Sequence, residues 1–508
     1  MVDLNKYQEL SMQEKDIKRI VIKQLKTKFP YWRRLTKKQK KALVEEALRD
    51  VMENYQPSQA MSVPLHELTN TPAPLAGIIL LSEMGKFIEN RTRGFLPFTK
   101  QYSQRYLNDR ELRLIDSLLD DRVLNDLLAC PGYTPSMRQI SPAHLFRAEL
   151  LKALRYADLS YRKYCDLHVN RLENKSVRAF LHLPLHRKIM VHHSQLSQFR
   201  STLTITHLVN LMVYITHLLV KEINLPYPFQ ICGVDSTDLA SSCCPVPLAT
   251  LTVGQKKVRI YNELDADCGK RRKKRNKSEY FVGYRLHSLN VIAPDSGHNY
   301  PLLSLVAPAN HHDNLLLPQL VAFAKAMGLN IQVITADAAY GDAEQNQQIK
   351  KEYGVTVVTS PSQKVKTPEH VDPDRRHVFM DEYCETPMRY LGTTDTGHEF
   401  GCDAQTNECF RAPLCPQCRE IPFDSGQFGQ LPDILEEVDK ICQLRKNMER
   451  SYNLFKHVAG LERLRLKSQQ SVMAAVTFAQ LATGLMEIAR HHQSSEKEHR
   501  PKQLQLAA

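Results

Sequence analysis

Two aspartates that follow apolar, strand-like segments are the first candidates for chemistry in this sequence. Asp235 comes directly after FQICGV, and Asp337 comes directly after IQVITA. Strand ends of an open α/β sheet border the crevice where ligands bind, so both carboxylates are predicted to face such a crevice. A single aspartate in this position is more often a turn residue or a helix cap, and that reading stays open for each one taken alone.

A predicted helix late in the chain carries a third acid. Glu449 lies four residues after Arg445, and Tyr452 and Lys456 continue the spacing, so the four side chains form one stripe along the helix. The neighbouring apolar stripe, which is predicted to pack on the sheet, contains Ile441, Leu444, Met448 and Phe455. A surface ion pair would explain why Arg445 and Glu449 stand four residues apart. It would not explain why the same chain also carries two aspartates at strand ends.

Three carboxylates in one crevice repel one another unless cations neutralise them. Hard oxygen ligands suit Mg²⁺ or Mn²⁺, with water and substrate phosphates completing the coordination. Two such ions about 4 Å apart can activate a nucleophilic oxygen and stabilise the leaving oxygen of a phosphoryl transfer. Arg445 and Lys456, on the same helix face, would then contact DNA phosphates.

Three segments of the chain resemble the acidic motifs of bacterial insertion-sequence DDE transposases. They are GVDST at 233–237, TADAAYGD at 335–342 and RKNMERSYNLFK at 445–456. The third resembles the Y-x2-R-x3-E-x6-K signature of that family, with Cys442 at the tyrosine position. The resemblance spans about residues 140–490 and implies an RNase H-like core in which Asp235 bridges two Mg²⁺ ions, while Asp337 and Glu449 each hold one.

The resemblance implies cleavage at the ends of a mobile element and joining of the freed 3′-OH to target DNA. Its partners would be the element's terminal repeats and the target DNA, and pairing of two ends implies a homodimer or a larger assembly. Two alternatives stay open: a non-catalytic DNA-binding protein that retains the fold, and an RNase H-like nuclease that never joins strands.

Net charge supports a polyanionic partner. The 508 residues include 68 Lys and Arg against 55 Asp and Glu, a formal charge of +13. Residues 1–55 contribute +6 and residues 256–277 contribute +7. The run at 270–277 is predicted to be a flexible loop that contacts the DNA backbone. Its basic residues are Lys270, Arg271, Arg272, Lys273, Lys274, Arg275 and Lys277.

Twelve cysteines are too few for a disulfide scaffold, but four of them cluster within 17 residues. Cys402, Cys409, Cys415 and Cys418 are predicted to form a structural zinc site, because two thiolates of a CxxC turn can meet one metal. Cys384 and His398 are substitute ligands. Unpaired thiols and a redox pair remain the alternatives.

The predicted fold class is α/β: a mixed-sheet, RNase H-like core that follows an all-α N-terminal region and is interrupted by a Cys-rich insertion. Strands are predicted at 229–235, 279–293, 300–308, 331–337 and 355–359, and helices at 313–327, 342–353, 432–457 and 469–490. The predicted segments are a basic helical region with a linker at 1–75, a helical DNA-binding region at 76–225, the first part of the core at 226–359, the insertion at 360–430, the C-terminal core helices at 431–492 and a disordered tail at 493–508.

Within the DNA-binding region, short helical patterns at 160–171, 175–182 and 194–204 permit a helix-turn-helix, although any α-helical domain gives a similar pattern. Other acids compete for the metal roles. Asp238, Asp265, Asp267 and Asp342 are predicted to be solvated or capping residues. His311, His312 and Asp313 resemble a recurrent His–Asp element near the family's active site, but Asp313 is predicted to be a helix N-cap.

Residues 201–220 contain no Asp, Glu, Lys or Arg and have the length of a membrane-spanning helix. Their histidines, asparagine and hydroxyl side chains instead predict a buried helix of a soluble protein. The N-terminal sequence MVDLNKYQEL lacks the apolar core of a signal peptide. We therefore expect no membrane partner and a cytoplasmic, nucleoid-associated bacterial protein.

Overall fold

The computed structural model describes most of the chain beyond residue 76. Its described residues are 36, 77–92, 104–129, 140–359, 379–402, 418–422 and 441–498, apart from gaps at 188, 226, 243–244, 248, 254–255, 262, 264, 273–277, 293–298, 382–386, 442–443, 446–447, 454–455, 457–459, 462–463, 465 and 467. The helices predicted within 1–75 and most of the helix predicted at 432–457 lie outside the described residues.

The first half of the described chain is α-helical. Its helices are α1 (Leu81–Thr92), α2 (Arg110–Leu118), α3 (Asp121–Leu127), α4 (Pro142–Arg155), α5 (Tyr161–Tyr164), α6 (Lys175–Phe180), α7 (His193–Thr202) and α8 (Ile205–Glu222), with a π-helical turn at Cys165–Val169. Side-chain caps explain several starts: Asp109 accepts the main-chain N–H groups of Glu111 and Leu112 at 2.9 and 3.1 Å. Helix α4 begins at Pro142, with Ser141 at the N-cap.

Residues 229–359 build a mixed sheet with helices between its later strands. Its strands are β1 (Phe229–Ala240), β4 (Asp267–Arg272), β5 (Ser278–Ile292), β6 (Asn299–Pro308), β7 (Ile331–Ala336) and β8 (Thr356–Thr359). Strands β2 (Ala249–Val253) and β3 (Lys256–Ile260) pair with each other as a separate two-stranded sheet. Helices α9 (Leu317–Ala326) and α10 (Ala343–Tyr353) lead to β7 and β8 respectively, so the predicted alternation of helix and strand is confirmed.

Strand β1 is central to this sheet. It pairs antiparallel with β5 on one side and parallel with β7 on the other, and β8 pairs parallel with β7. The far side of β5 pairs with β4 along its first part and with β6 along the rest. Strand β1 is therefore an interior strand with a partner on each edge, and its Cys232 and Val234 side chains are buried.

The predicted insertion contains a second, smaller sheet within the described residues. Strands β9 (Met388–Thr393), β10 (Gly397–Cys402) and β11 (Cys418–Pro422) pair antiparallel in the order β11–β10–β9. Phe379, Met388, Phe400 and Ile421 form its own apolar cluster. The sequence prediction found no regular element here because each strand is short and interrupted by glycine or polar residues.

The last described helices are α11 (Met448–Asn453) and α12 (Gln469–Glu498). Helix α12 packs on α4, α8 and β6, and so joins the helical region to the sheet. By length and composition it passes the test for a membrane span, as does the bent pair α7–α8, but 89% of the apolar window in α12 is buried inside the protein. That burial is expected of a core helix.

Three predictions about element ends are corrected. Strand β1 continues to Ala240 instead of ending at Asp235, because β5 pairs with it along that length. Helix α12 extends to Glu498, so residues 493–498 of the predicted disordered tail are helical. The predicted loop at 270–277 begins as a strand, because Lys270, Arg271 and Arg272 pair with Tyr280, Glu279 and Ser278.

Candidate active site

The two candidate aspartates lie side by side at one end of the parallel pairing. The last parallel backbone pair of β1 and β7 is Val234 with Ala336, and Asp235 and Asp337 are the next residue of each chain segment. Asp337 ends its strand as predicted, and it caps a 3₁₀ helix (Ala338–Tyr340) by accepting the N–H of Ala339 at 2.9 Å. The Oδ1 atom of Asp235 accepts the N–H of Ser236 at 2.7 Å.

The electrostatic environment disfavours the ionised form of both carboxyl groups. Burial raises the pKa of Asp235 to about 6, and the negative charges of Asp337 and Asp313 add to the rise, while Arg445 and the N–H of Ser236 oppose it. The pKa of Asp337 is also raised, first by burial and then by Asp313. Two half-buried carboxyl groups whose pKa values are both raised are a natural place for a cation.

Helix α11 brings the third motif against β1. Met448 is buried, and a Cβ atom built on Gly233 would lie 2.8 Å from its Sδ atom, so the helix sits directly on the strand at this glycine. The phenol of Tyr452 donates a hydrogen bond to the main-chain oxygen of Asp235. Arg445 Nη1 lies 3.9 Å from Asp235 Oδ2. Arg445 and Tyr452 thus both reach Asp235, as a shared helix stripe predicts, but the Tyr452 side chain is buried.

Not every predicted residue of this motif can be placed. Glu449 belongs to α11, but its side chain lies outside the described part of the structure. Lys456 is half-buried. Among the described residues, no group of three or more His, Cys, Asp or Glu side chains has the spacing of a metal site. The structure thus brings together Asp235, Asp337 and Arg445, and it places the helix of Glu449 beside them.

A second polar cluster borders the aspartates; the sequence analysis missed its Arg285 and His287 and assigned its Asp313 to capping. Asp313 does not cap its helix, since His312 holds the cap position; its Oδ1 atom instead accepts a hydrogen bond from Arg285 Nη1 at 2.8 Å. His287 is fully buried on β5, with Nδ1 2.9 Å from the hydroxyl of Tyr340 and Nε2 3.9 Å from Asp313. Burial lowers the pKa of His287 to about 4.

A sequence signal for this cluster does exist. Arg285 and His287 stand two residues apart in the largely apolar segment EYFVGYRLHSLNVIA, so they share one face of the strand. The element at His311–Asp313 was noted but was assigned to capping. Asp342 is an N-cap, as predicted, and accepts the N–H of Gln345 at 3.2 Å.

The remaining predicted binding residues are only partly described. Lys270 is exposed on β4, whereas the side chains of Arg271 and Arg272 and all of residues 273–277 lie outside the described structure. Cys402 is half-buried and Cys418 is exposed, on adjacent strands where Gly401 pairs with Cys418. Cys409, Cys415 and Cys384 are also outside the description, so the zinc site remains a prediction.

A comparison with known protein families finds a match, which covers the later part of the chain. Residues 249–485 match the family model described as transposase DDE domain, which confirms the resemblance seen in the acidic motifs. Residues 249–485 are therefore similar to the DDE domain of transposases. The matched range includes Asp337 and Glu449 and begins after Asp235.

One solved structure similar to this chain is the cryo-EM structure of the piggyBac transposase synaptic complex with hairpin DNA. The two sequences are 11% identical, the match covers 79% of this chain and 76% of the other, and the TM-score is 0.31. A likeness at that TM-score carries no argument about this chain. No curated protein matches the sequence.

Proposed function

We propose that this protein is an active DDE transposase that cleaves DNA at the ends of its mobile element and transfers the freed 3′-OH to target DNA. One observation supports this above all: Asp235 and Asp337 lie beside each other beyond the last β1–β7 pair, and Arg445 of the third motif lies 3.9 Å from Asp235. The order β6–β5–β1–β7–β8, three antiparallel strands followed by two parallel ones, supports an RNase H-like core.

The donor set fits Mg²⁺ or Mn²⁺. Asp235 and Asp337 offer carboxylate oxygens in a half-buried position, burial raises the pKa of both, and α11 can supply Glu449. A pair of such ions, when bound, would activate the attacking oxygen and stabilise the leaving oxygen. The chain's own contribution is to hold these acids together and to place Arg445 and Lys456 where DNA phosphates can pass.

DNA binding by the helical region is the second part of the proposal. Helix α7 is fixed by its buried face: Arg200 forms an ion pair with buried Glu149 on α4, and the Tyr161 hydroxyl of α5 donates to the same carboxylate at 2.8 Å. Its opposite face presents uncharged hydrogen-bonding side chains at i, i+3, i+4 and i+7 spacing, namely Ser194, Ser197, Gln198 and Ser201. Such a face suits base edges in a major groove.

Basic side chains flank that face. Arg162 and Lys163 are exposed on α5, and the charge of Arg162 acts on His193 at the start of α7, so α5 and α7 present one surface. We propose that these two side chains contact phosphates while α7 reads bases, as in a helix-turn-helix. Lys270, Arg271 and Arg272 of β4 and the basic residues that follow them would hold DNA beside the metal site.

The remaining parts of the proposal concern the number of copies of the chain, its location in the cell and a zinc ion. Joining two element ends requires at least two copies of the chain on DNA, and this work is done in the bacterial cytoplasm, at the nucleoid. The four cysteines of the insertion would hold a structural zinc ion on β10 and β11.

The test is a cleavage and strand-transfer assay on a duplex that carries the element's end. The wild-type chain should nick the end and join it to a target only with Mg²⁺ or Mn²⁺, and Asp235→Asn and Asp337→Asn should each abolish both products. Specific binding with no metal-dependent nicking would indicate a non-catalytic DNA-binding protein. Nicking with no joined product would indicate a nuclease.

A further inference from the structure

Helix α11, which carries Glu449, is hydrogen-bonded to the main chain of Asp235. Tyr452 stands on α11, three residues after Glu449, and its hydroxyl donates to the carbonyl oxygen of Asp235. The Tyr452 side chain is buried, so this bond is shielded from competing water. The polar contact therefore joins the backbone of one catalytic strand to the helix turn that carries another acid.

Packing fixes the other side of the same turn. Met448 is fully buried, and the strand opposite it carries Gly233, where an added Cβ would come within 2.8 Å of Met448 Sδ and 3.0 Å of Ile292 Cδ1. Real Cβ atoms do not approach so closely, so the glycine permits a helix-to-strand distance that other residues would increase. Met448 and Tyr452 are an i,i+4 pair, and Glu449 lies on the turn between them.

The Met448 packing contact and the Tyr452 hydrogen bond restrict different movements of α11. A methionine side chain is flexible and fills space, so Met448 sets how closely α11 approaches β1 but tolerates sliding along it. A hydrogen bond to one carbonyl oxygen has a narrow range of distance and angle, so it sets the position of α11 along β1. The ring of Tyr452 would pack equally well without its hydroxyl.

We propose that Tyr452 is a positioning residue whose hydroxyl fixes the position of Glu449 relative to Asp235. This inference rests on the proposed metal-dependent function. Loss of the hydroxyl leaves the fold in place but lets α11 shift along β1, which spreads the acids that share the metal ions. Partners that orient metal ligands in this way commonly change metal affinity about 10- to 100-fold when removed.

The experiment compares Tyr452→Phe with Tyr164→Phe in the full chain. Tyr164 is a matched control, because its buried hydroxyl also donates to a main-chain carbonyl, that of Ala148 at 2.9 Å, within the helical region. Mn²⁺ binding is measured by electron paramagnetic resonance of the free ion, and hydrogen exchange of residues 448–453 is measured without metal. Melting temperatures of both variants record the loss of one buried hydrogen bond.

We expect similar melting temperatures for the two variants. Only Tyr452→Phe should weaken Mn²⁺ binding, by about tenfold, and speed exchange within 448–453. Equal Mn²⁺ affinity and equal exchange in the two variants would overturn the role of Tyr452 while leaving the metal site intact. If the wild-type chain binds no Mn²⁺, or binds it equally well after Asp235→Asn, then the proposed function fails and this inference fails with it.

Discussion

Asp235 and Asp337 occupy equivalent positions on neighbouring strands, one residue beyond the last parallel pair of β1 and β7. Neighbouring strands lie about 4.8 Å apart, so the backbone itself brings these residues together before any side-chain contact is considered. Such an arrangement concentrates negative charge in a half-buried place, and this charge has consequences for stability as well as for metal binding.

Asp235→Asn should stabilise the metal-free protein at neutral pH. The folded-state pKa of Asp235 is raised from 3.8 to about 6, so its favourable contribution is present below pH 4 and is lost as the pH rises through 6. Asparagine removes this dependence, and at pH 7 the variant should gain about 1–3 kcal/mol in free energy of unfolding. Urea unfolding at pH 4 and pH 7 measures the difference. Asp267→Asn on β4 is the control, and a variant less stable than wild type at pH 7 would contradict the expectation.

His287→Gln should change the pH dependence in the opposite sense. Burial lowers the pKa of His287 from 6.5 to about 4, so the unfolded chain takes up a proton in this range while the folded chain does not. In the wild-type protein, the contribution of His287 to the free energy of unfolding is present above pH 6.5. It is lost as the pH falls towards 4, by up to about 3 kcal/mol. The variant should show a flatter stability curve between pH 6.5 and 4, while His186→Gln at an exposed position should keep the wild-type curve.

Gly233→Ala should separate α11 from β1. The added Cβ would lie 2.8 Å from Met448 Sδ, and overpacking of this kind commonly costs about 1–3 kcal/mol. We expect a lower melting temperature and at least a tenfold loss of metal-dependent cleavage. Gly392→Ala is a matched control, because a Cβ there meets nothing within 4 Å. Equal cleavage by the two variants would show that the close approach of α11 is not needed for activity.

The surface of α5 and α7 allows phosphate and base contacts to be separated. The double change Arg162→Ala and Lys163→Ala should weaken binding to all duplexes alike and reduce the slope of log K against log salt by about 2, since each phosphate contact contributes about 0.9. Gln198→Ala should keep the salt slope but lose about 1–3 kcal/mol of discrimination at one base position. Fluorescence anisotropy with selected and scrambled duplexes measures both. A salt slope unchanged by the double change would exclude this surface.

The local sequence predicted Asp337 better than it predicted Asp235. Strand β7 ends where its apolar run ends, because a helix cap follows, and both signals are local. Strand β1 continues through Asp235 to Ala240 because β5 pairs with it from Cys232 to Ala240, and no residue near 235 indicates that partner. Asp235 therefore lies within its strand and not at the end of it.

The burial of Tyr452 and the pairing of Asp313 could not be predicted for a similar reason. Helical periodicity placed Tyr452 on the same stripe as Arg445 but did not predict its burial, because the acceptor of its hydroxyl lies 217 residues earlier in the chain. Asp313 begins a helix and so was assigned to capping, but Arg285 on β5 provides a charged partner. In both contacts the partner is distant in sequence, so the pairing itself is visible only in the tertiary structure.

Helix α12 has a consequence for the synthesis of the protein. It packs on α4, α8 and β6, yet it is translated after all of them, so neither the helical region nor the sheet can complete its core until residue 469 and beyond have left the ribosome. A message with a stop codon or a frameshift before that point would yield a chain with two open cores. We expect cellular proteases to remove such chains.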